Sequence, residues 1–110
     1  MASLAQTQVD VPLPLMQASE ELVPVLTEHG YSLEEGSIPG AAELVFGVKR
    51  KAFRNAMQGS ARIVDNGAGS TIELQLDVAP GESKTLLDGR RNRATLQELT
   101  EQVSVKLRGA

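Results

Sequence analysis

Residues 70–79 read Ser-Thr-Ile-Glu-Leu-Gln-Leu-Asp-Val-Ala, and the alternation in them decides the fold. Ile72, Leu74, Leu76 and Val78 take every second position, with Thr71, Glu73, Gln75 and Asp77 between them. Successive side chains of a strand point to opposite faces, so the segment sets four aliphatic groups on one side and four polar groups on the other. A sheet with one dry and one wet face is characteristically antiparallel. The dry face has to be covered, and a helical stretch near each end of the chain is available to cover it.

Working outward, Asp65-Asn66-Gly67-Ala68-Gly69 is a hairpin loop, because Asn-Gly accepts positive φ at little cost. Before it, Ala61, Ile63 and Val64 predict a strand, and 42–48 predicts another, with Leu44, Phe46 and Val48 on one face. Residues 49–58 between them are basic and poorly periodic. Tyr31 and Leu33 open a further strand, and 36–40 reads as a turn. At the start, residues 1–5 look frayed, and 6–13 alternate, with Val9, Val11 and Leu13 on one side. Pro12 confines that strand to an edge or puts it at the strand's end.

Two helices complete the chain. Leu15, Met16, Ala18, Leu22, Val23 and Leu26 form an apolar stripe that Pro24 interrupts. Two arrangements fit: one kinked helix over 14–29, or a short first piece followed by a helix capped at Ser19. Gly30 is a left-handed stop. The last helix starts between Asp88 and Thr95, where Thr95 with Glu98 fits a capping box and Asp88 or Asn92 would cap an earlier start. Leu96, Leu99, Val103 and Leu107 share its apolar stripe. The expected fold is α+β, a two-layer sandwich with an antiparallel sheet of about five strands in β-α-β-β-β-β-α order and both helices on one face.

At 110 residues the chain reads as one domain, 1–110, with a single core. Aromatic residues make up 3% and there is no Trp, so base-stacking platforms are scarce; a pI near 5.1 adds to the case against nucleic acid. The lack of Cys excludes disulfides and thiolate metal sites, and points to a cytoplasmic protein. The opening residues carry no signal-peptide pattern, and no segment approaches a membrane span.

The net charge of −3 conceals an asymmetry: seven acidic residues and no Lys or Arg precede Lys49. In a simple meander the loop carrying Lys49, Arg50, Lys51 and Arg54 meets the start of the last helix, which carries Arg90, Arg91 and Arg93. Arginine forks together with unpaired helix N–H groups suit a small anion, while the alternative is a solvated basic loop paired with Glu82 or Asp88. A second candidate is an apolar groove under the last helix, made by Leu74, Leu76, Leu96, Leu99 and Val103, unless those side chains simply interdigitate. A third is partner binding through a free sheet edge, including homodimerisation.

Other motifs carry less. Residues 81–85 end in Lys-Thr like a phosphate-binding loop but lack its glycines and read instead as a turn leading into a helix cap, and Gly67-Ala68-Gly69 is flanked by strands on both sides. His29, the only histidine, has a structural place at a helix end, and the neighbours Glu20/Glu21 and Glu34/Glu35 diverge rather than form a dyad. No catalytic residue, metal site or cofactor is expected, and the chain reads as a non-enzymatic binding or accessory module.

The order of elements resembles a reduced helix-grip (START-like) domain, and also small bacterial two-layer domains of unknown function with a TATA-binding-protein-like arrangement. Leu87-Asp88-Gly89-Arg90-Arg91-Asn92-Arg93 is similar to the basic, Asn-containing opening of the last helix in some of the latter. The helix-grip resemblance implies a carrier of small apolar ligands.

Overall fold

The computed structural model describes residues 4–48, 56–79 and 86–108, with side chains of the last segment from Arg90 onward. Its elements are β1 (Ala5–Val11), α1 (Leu15–Glu28), β2 (Ser32–Leu33), β3 (Glu43–Val48), β4 (Met57–Asp65), β5 (Ser70–Val78) and α2 (Leu86–Arg108). This is the expected order. The strands form one antiparallel sheet in the order β1-β5-β4-β3-β2, so β1 lies beside the strand most distant from it in sequence.

The alternation of β5 is realised without exception. Ser70, Ile72, Leu74, Leu76 and Val78 are buried, and Glu73 and Gln75 are exposed. The register carries this inner face across the sheet. Phe46, Gly59, Leu76 and Ala5 lie in one row, and Leu44, Ala61, Leu74 and Thr7 in the next. Large and small residues alternate within each row, so Phe46 lies against the backbone of Gly59, where a Cβ would come within 2.5 Å of the ring. That ring also meets Tyr31 edge-on at 5.1 Å between centroids. Two of the three aromatic residues thereby fill the trough left by the small residues of β4.

α2 packs on β1 and β5 and against α1, while α1 also reaches β4. Asn92, Leu96, Leu99, Val103 and Leu107 form the buried stripe of α2, at the spacing of one helical face. α1 is one continuous helix with Pro24 inside it. Ser19 is therefore not a cap. It is fully buried in mid-helix, where its hydroxyl donates to the Ala41 carbonyl at 2.6 Å and accepts from the Gly40 N–H at 3.0 Å, tying the 36–42 turn to α1. The helix stops as predicted at Gly30, with φ +85°: its N–H reaches the Thr27 carbonyl, and the Tyr31 N–H reaches that of Leu26.

Three boundaries differ from the sequence reading. Ala5 belongs to β1 and is 3% exposed, because pairing with Leu76 and cover from α2 hold a residue whose own side chain gives no strand signal. β4 begins at Met57, inside the stretch read as a basic connection. α2 begins at Leu86, ahead of Asp88, Asn92 and Thr95, so these three lie within the helix and Asn92 is buried, while the 81–85 turn read as leading into a cap lies outside the described residues. The hairpin loop behaves as read: the Asp65 and Asn66 side chains accept from the N–H groups of Gly67 and Ala68, and Gly67 has φ +88°.

Candidate functional site

The strand register aligns one end of the sheet. Val48 pairs with Met57 and Met57 with Val78, and the Ala79 N–H extends the ladder to the Ala56 carbonyl at 2.8 Å. The end of β3, the start of β4 and the end of β5 are thus side by side, and α2 follows Val78 after a connection of seven residues. Val48 and Ala56, which bound the segment 49–55 in sequence, are both at this end of the sheet. Lys49, Arg50, Lys51 and Arg54 themselves lie outside the described residues, as does the 81–85 segment with its Lys-Thr pair.

The arginines of α2 are described. Arg90, Arg91 and Arg93 are all exposed, on the first turns of the helix. Arg90 and Arg91 diverge by about 100°, whereas Arg90 and Arg93, three residues apart, are neighbours on one side of the helix. Arg93 turns to the side of the molecule where β1 lies, and Arg90 and Arg91 stay on the turn nearest the β5–α2 connection.

The proposed apolar set is placed differently. Leu74, Leu76, Leu99 and Val103 are fully buried and Leu96 is 2% exposed, and all five belong to one continuous core. Their side chains face each other across the α2–sheet contact, and of the five Leu96 also borders the cleft beside β1. His29 stands at the C-terminal end of α1, its N–H directed at the carbonyls of Val25 and Leu26. Glu20, Glu21, Glu34 and Glu35 are exposed. Among the described residues no group of three or more His, Asp or Glu is placed to hold a metal ion. No helix among them is long and apolar enough to cross a membrane.

A cleft that pattern reading missed opens along the outer side of β1. It has a volume of about 470 Å³, with residues 5–7 of β1 on one side and Arg93, Leu96, Gln97, Thr100 and Glu101 of α2 on the other. Its sequence signal was Thr7, a half-buried hydroxyl residue at a position where Ala5, Val9 and Val11 face inward. A polar residue on the inner face of an edge strand marks the place where the covering helix stops short.

No protein-family model matches the sequence, and no curated protein sequence is similar to it. Solved structures do match. A START superfamily protein from Mycobacterium smegmatis superposes with a TM-score of 0.64 at 10% identity, over 96% of this chain and 94% of that one. A protein of Chromobacterium violaceum gives 0.62 at 8% identity, over 96% and 97%. The di-domain ARO/CYC StfQ from the steffimycin biosynthetic pathway gives 0.60 at 12% identity, where 97% of this chain covers half of that one. At such identities the likeness is one of fold, and the fold is START-like: an antiparallel sheet gripped by a long C-terminal helix.

Proposed function

We propose that the chain is a small-molecule-binding module of the helix-grip type, and that it takes a ligand bearing an anionic group at the basic end of the sheet. The observation that supports this reading is the alignment of Val48, Met57 and Val78, the residues from which the chain enters the basic segment, leaves it and continues toward α2. Arg90 and Arg91 are exposed near the start of α2, and the sequence supplies four more cations, Lys49, Arg50, Lys51 and Arg54, between Val48 and Ala56. Guanidinium groups pair carboxylate or phosphate through two parallel hydrogen bonds, and proximity to a helix start adds a favourable dipole. The START-like fold supports ligand binding in general, and the acidic character of the chain before Lys49 leaves this edge as its concentrated positive region.

The core constrains what the ligand can be. A wholly apolar molecule under α2 would have to displace Leu96, Leu99 and Val103 from full contact with the sheet. The ligand's charged group therefore carries the recognition, through the arginines, and its apolar part stays outside the core. Binding rather than catalysis fits the exposed, divergent acidic pairs and the backbone-capping position of His29.

Thermal unfolding at low salt tests the reading with inorganic phosphate, octanoate and the uncharged octanol as probes. At about ten times Kd a ligand stabilises by about 1.4 kcal/mol, or a Tm rise of about 5 °C. Octanoate and phosphate are expected to raise Tm, and Arg90→Glu/Arg91→Glu to abolish the rise. An unchanged rise in the double variant, or no rise with either anion, overturns the assignment.

A further inference from the structure

We infer that the free edge of β1 and the adjoining flank of α2 form one self-complementary surface, and that its partner is a second copy of this chain. The two edges of the sheet are treated differently. β2 ends the sheet as a strand of two residues, and short edge strands are a common protection against unwanted pairing. β1 ends it as a strand of seven residues that, among the described residues, pairs with β5 on one side only. It carries no Lys, Arg or Pro, and its one charge, Asp10, is near the end and accepts a hydrogen bond from Thr71 at 2.6 Å. A strand of this length with a free ladder is a template for another strand.

The choice of a second copy rests on charge placement. In the cleft beside β1, Arg93 and Glu101 stand four residues on either side of Gln97, and all three are exposed. An antiparallel α2 related by a two-fold axis at Gln97 would set Arg93 of each copy level with Glu101 of the other, because four residues rise about 6 Å in either direction. The same cleft contains Thr7, the residue on which an antiparallel β1–β1 pair would centre. That centring sets Ala5 against Val9 and Gln6 against Gln8, so inward residues stay inward and outward residues outward. One axis perpendicular to the sheet thus satisfies strand and helix together. The result is a continuous ten-stranded sheet with two α2 helices side by side over the join and two reciprocal Arg93–Glu101 pairs.

Analytical ultracentrifugation of the full chain tests this from about 1 to 500 µM, without ligand and at low salt. Wild type is expected to pass from 11.7 kDa to twice that mass. Arg93→Glu and Glu101→Arg each place like charges opposite one another, and each is expected to weaken association about tenfold or more. Mixing the two variants in equal amounts restores opposite charges at both contacts and is expected to restore the dimer at wild-type concentration. Both positions are on the surface, so folding, checked by circular dichroism, is unaffected. A wild-type chain that remains at 11.7 kDa throughout overturns the inference, as does association that both variants leave unchanged or that mixing fails to restore. The readout is mass in the absence of anions, so it stands or falls separately from ligand binding at Arg90 and Arg91.

Discussion

Gly59→Ala offers the sharpest test of how this core is built. The added Cβ would lie 2.5 and 2.6 Å from two ring carbons of Phe46 and 2.8 Å from the Gln75 carbonyl oxygen. Carbon atoms in ordinary contact are about 3.5–4.0 Å apart, so the ring must retreat by about 1 Å. It has nowhere to go. Phe46 is fully buried, in edge-on contact with the Tyr31 ring and with Leu44 on the same strand face. Overpacking of this kind costs about 1–3 kcal/mol against a total stability of about 5–15 kcal/mol. Gly59 does not have a positive φ, so backbone strain contributes nothing to the loss. In urea, with a slope of about 1–3 kcal/mol per M, the midpoint should fall by about 1 M. The control is Phe46→Leu, which destabilises alone by leaving a cavity but makes room for the methyl group. The double variant should then be more stable than the sum of the two losses by about 1 kcal/mol, with rescue incomplete because the Gln75 carbonyl stays in place. Additive losses, within about 0.5 kcal/mol, would refute the idea that the ring is the obstacle.

Three further outcomes are expected. Leu76→Asp puts a carboxylate at a fully buried position in the central part of β5 and should abolish the cooperative unfolding transition; a folded variant by circular dichroism would contradict the inner-face register. Ser19→Ala strands the Gly40 N–H and the Ala41 carbonyl at a partly buried site and should cost about 2–4 kcal/mol in chemical denaturation, with faster hydrogen exchange confined to the 36–42 turn. Gly69→Ala would drive a Cβ into the carbonyl oxygen of Val11 and against the backbone of Pro12, groups with no freedom to move aside, and should lower Tm by more than Ala68→Gly in the same loop.

Much of the architecture was legible because it is carried by local periodicity. The two-residue alternation from Ile72 to Val78 established a strand and its buried face, and the spacing of Leu96, Leu99, Val103 and Leu107 established the helix that covers it. Gly30 and the 65–69 loop could be read from backbone chemistry that no tertiary contact overrules. The meeting of the ends of β3, β4 and β5 followed from connectivity alone, since consecutive antiparallel strands must return to the same edge.

Other features depended on neighbours remote in sequence. Ser19 looked like a cap because caps are short hydroxyl residues, but its two partners, Gly40 and Ala41, arrive from a turn more than twenty residues away. Ala5 has no strand propensity of its own and is held by Leu76 and α2, and the start of α2 at Leu86 had to be chosen among Thr85, Asp88, Asn92 and Thr95, all residue types that can cap a helix. The burial of Leu74, Leu76, Leu96, Leu99 and Val103 depends on how closely α2 approaches the sheet, a distance that no spacing encodes. The cleft beside β1, between residues 5–7 and α2, arises likewise. Sequence by itself determined which residues want to be inside and in what local geometry. Which strand pairs with which, which edge stays free and where a helix leaves a gap were decided by packing between distant segments, because those contacts trade volume and hydrogen bonds across the whole molecule rather than along the chain.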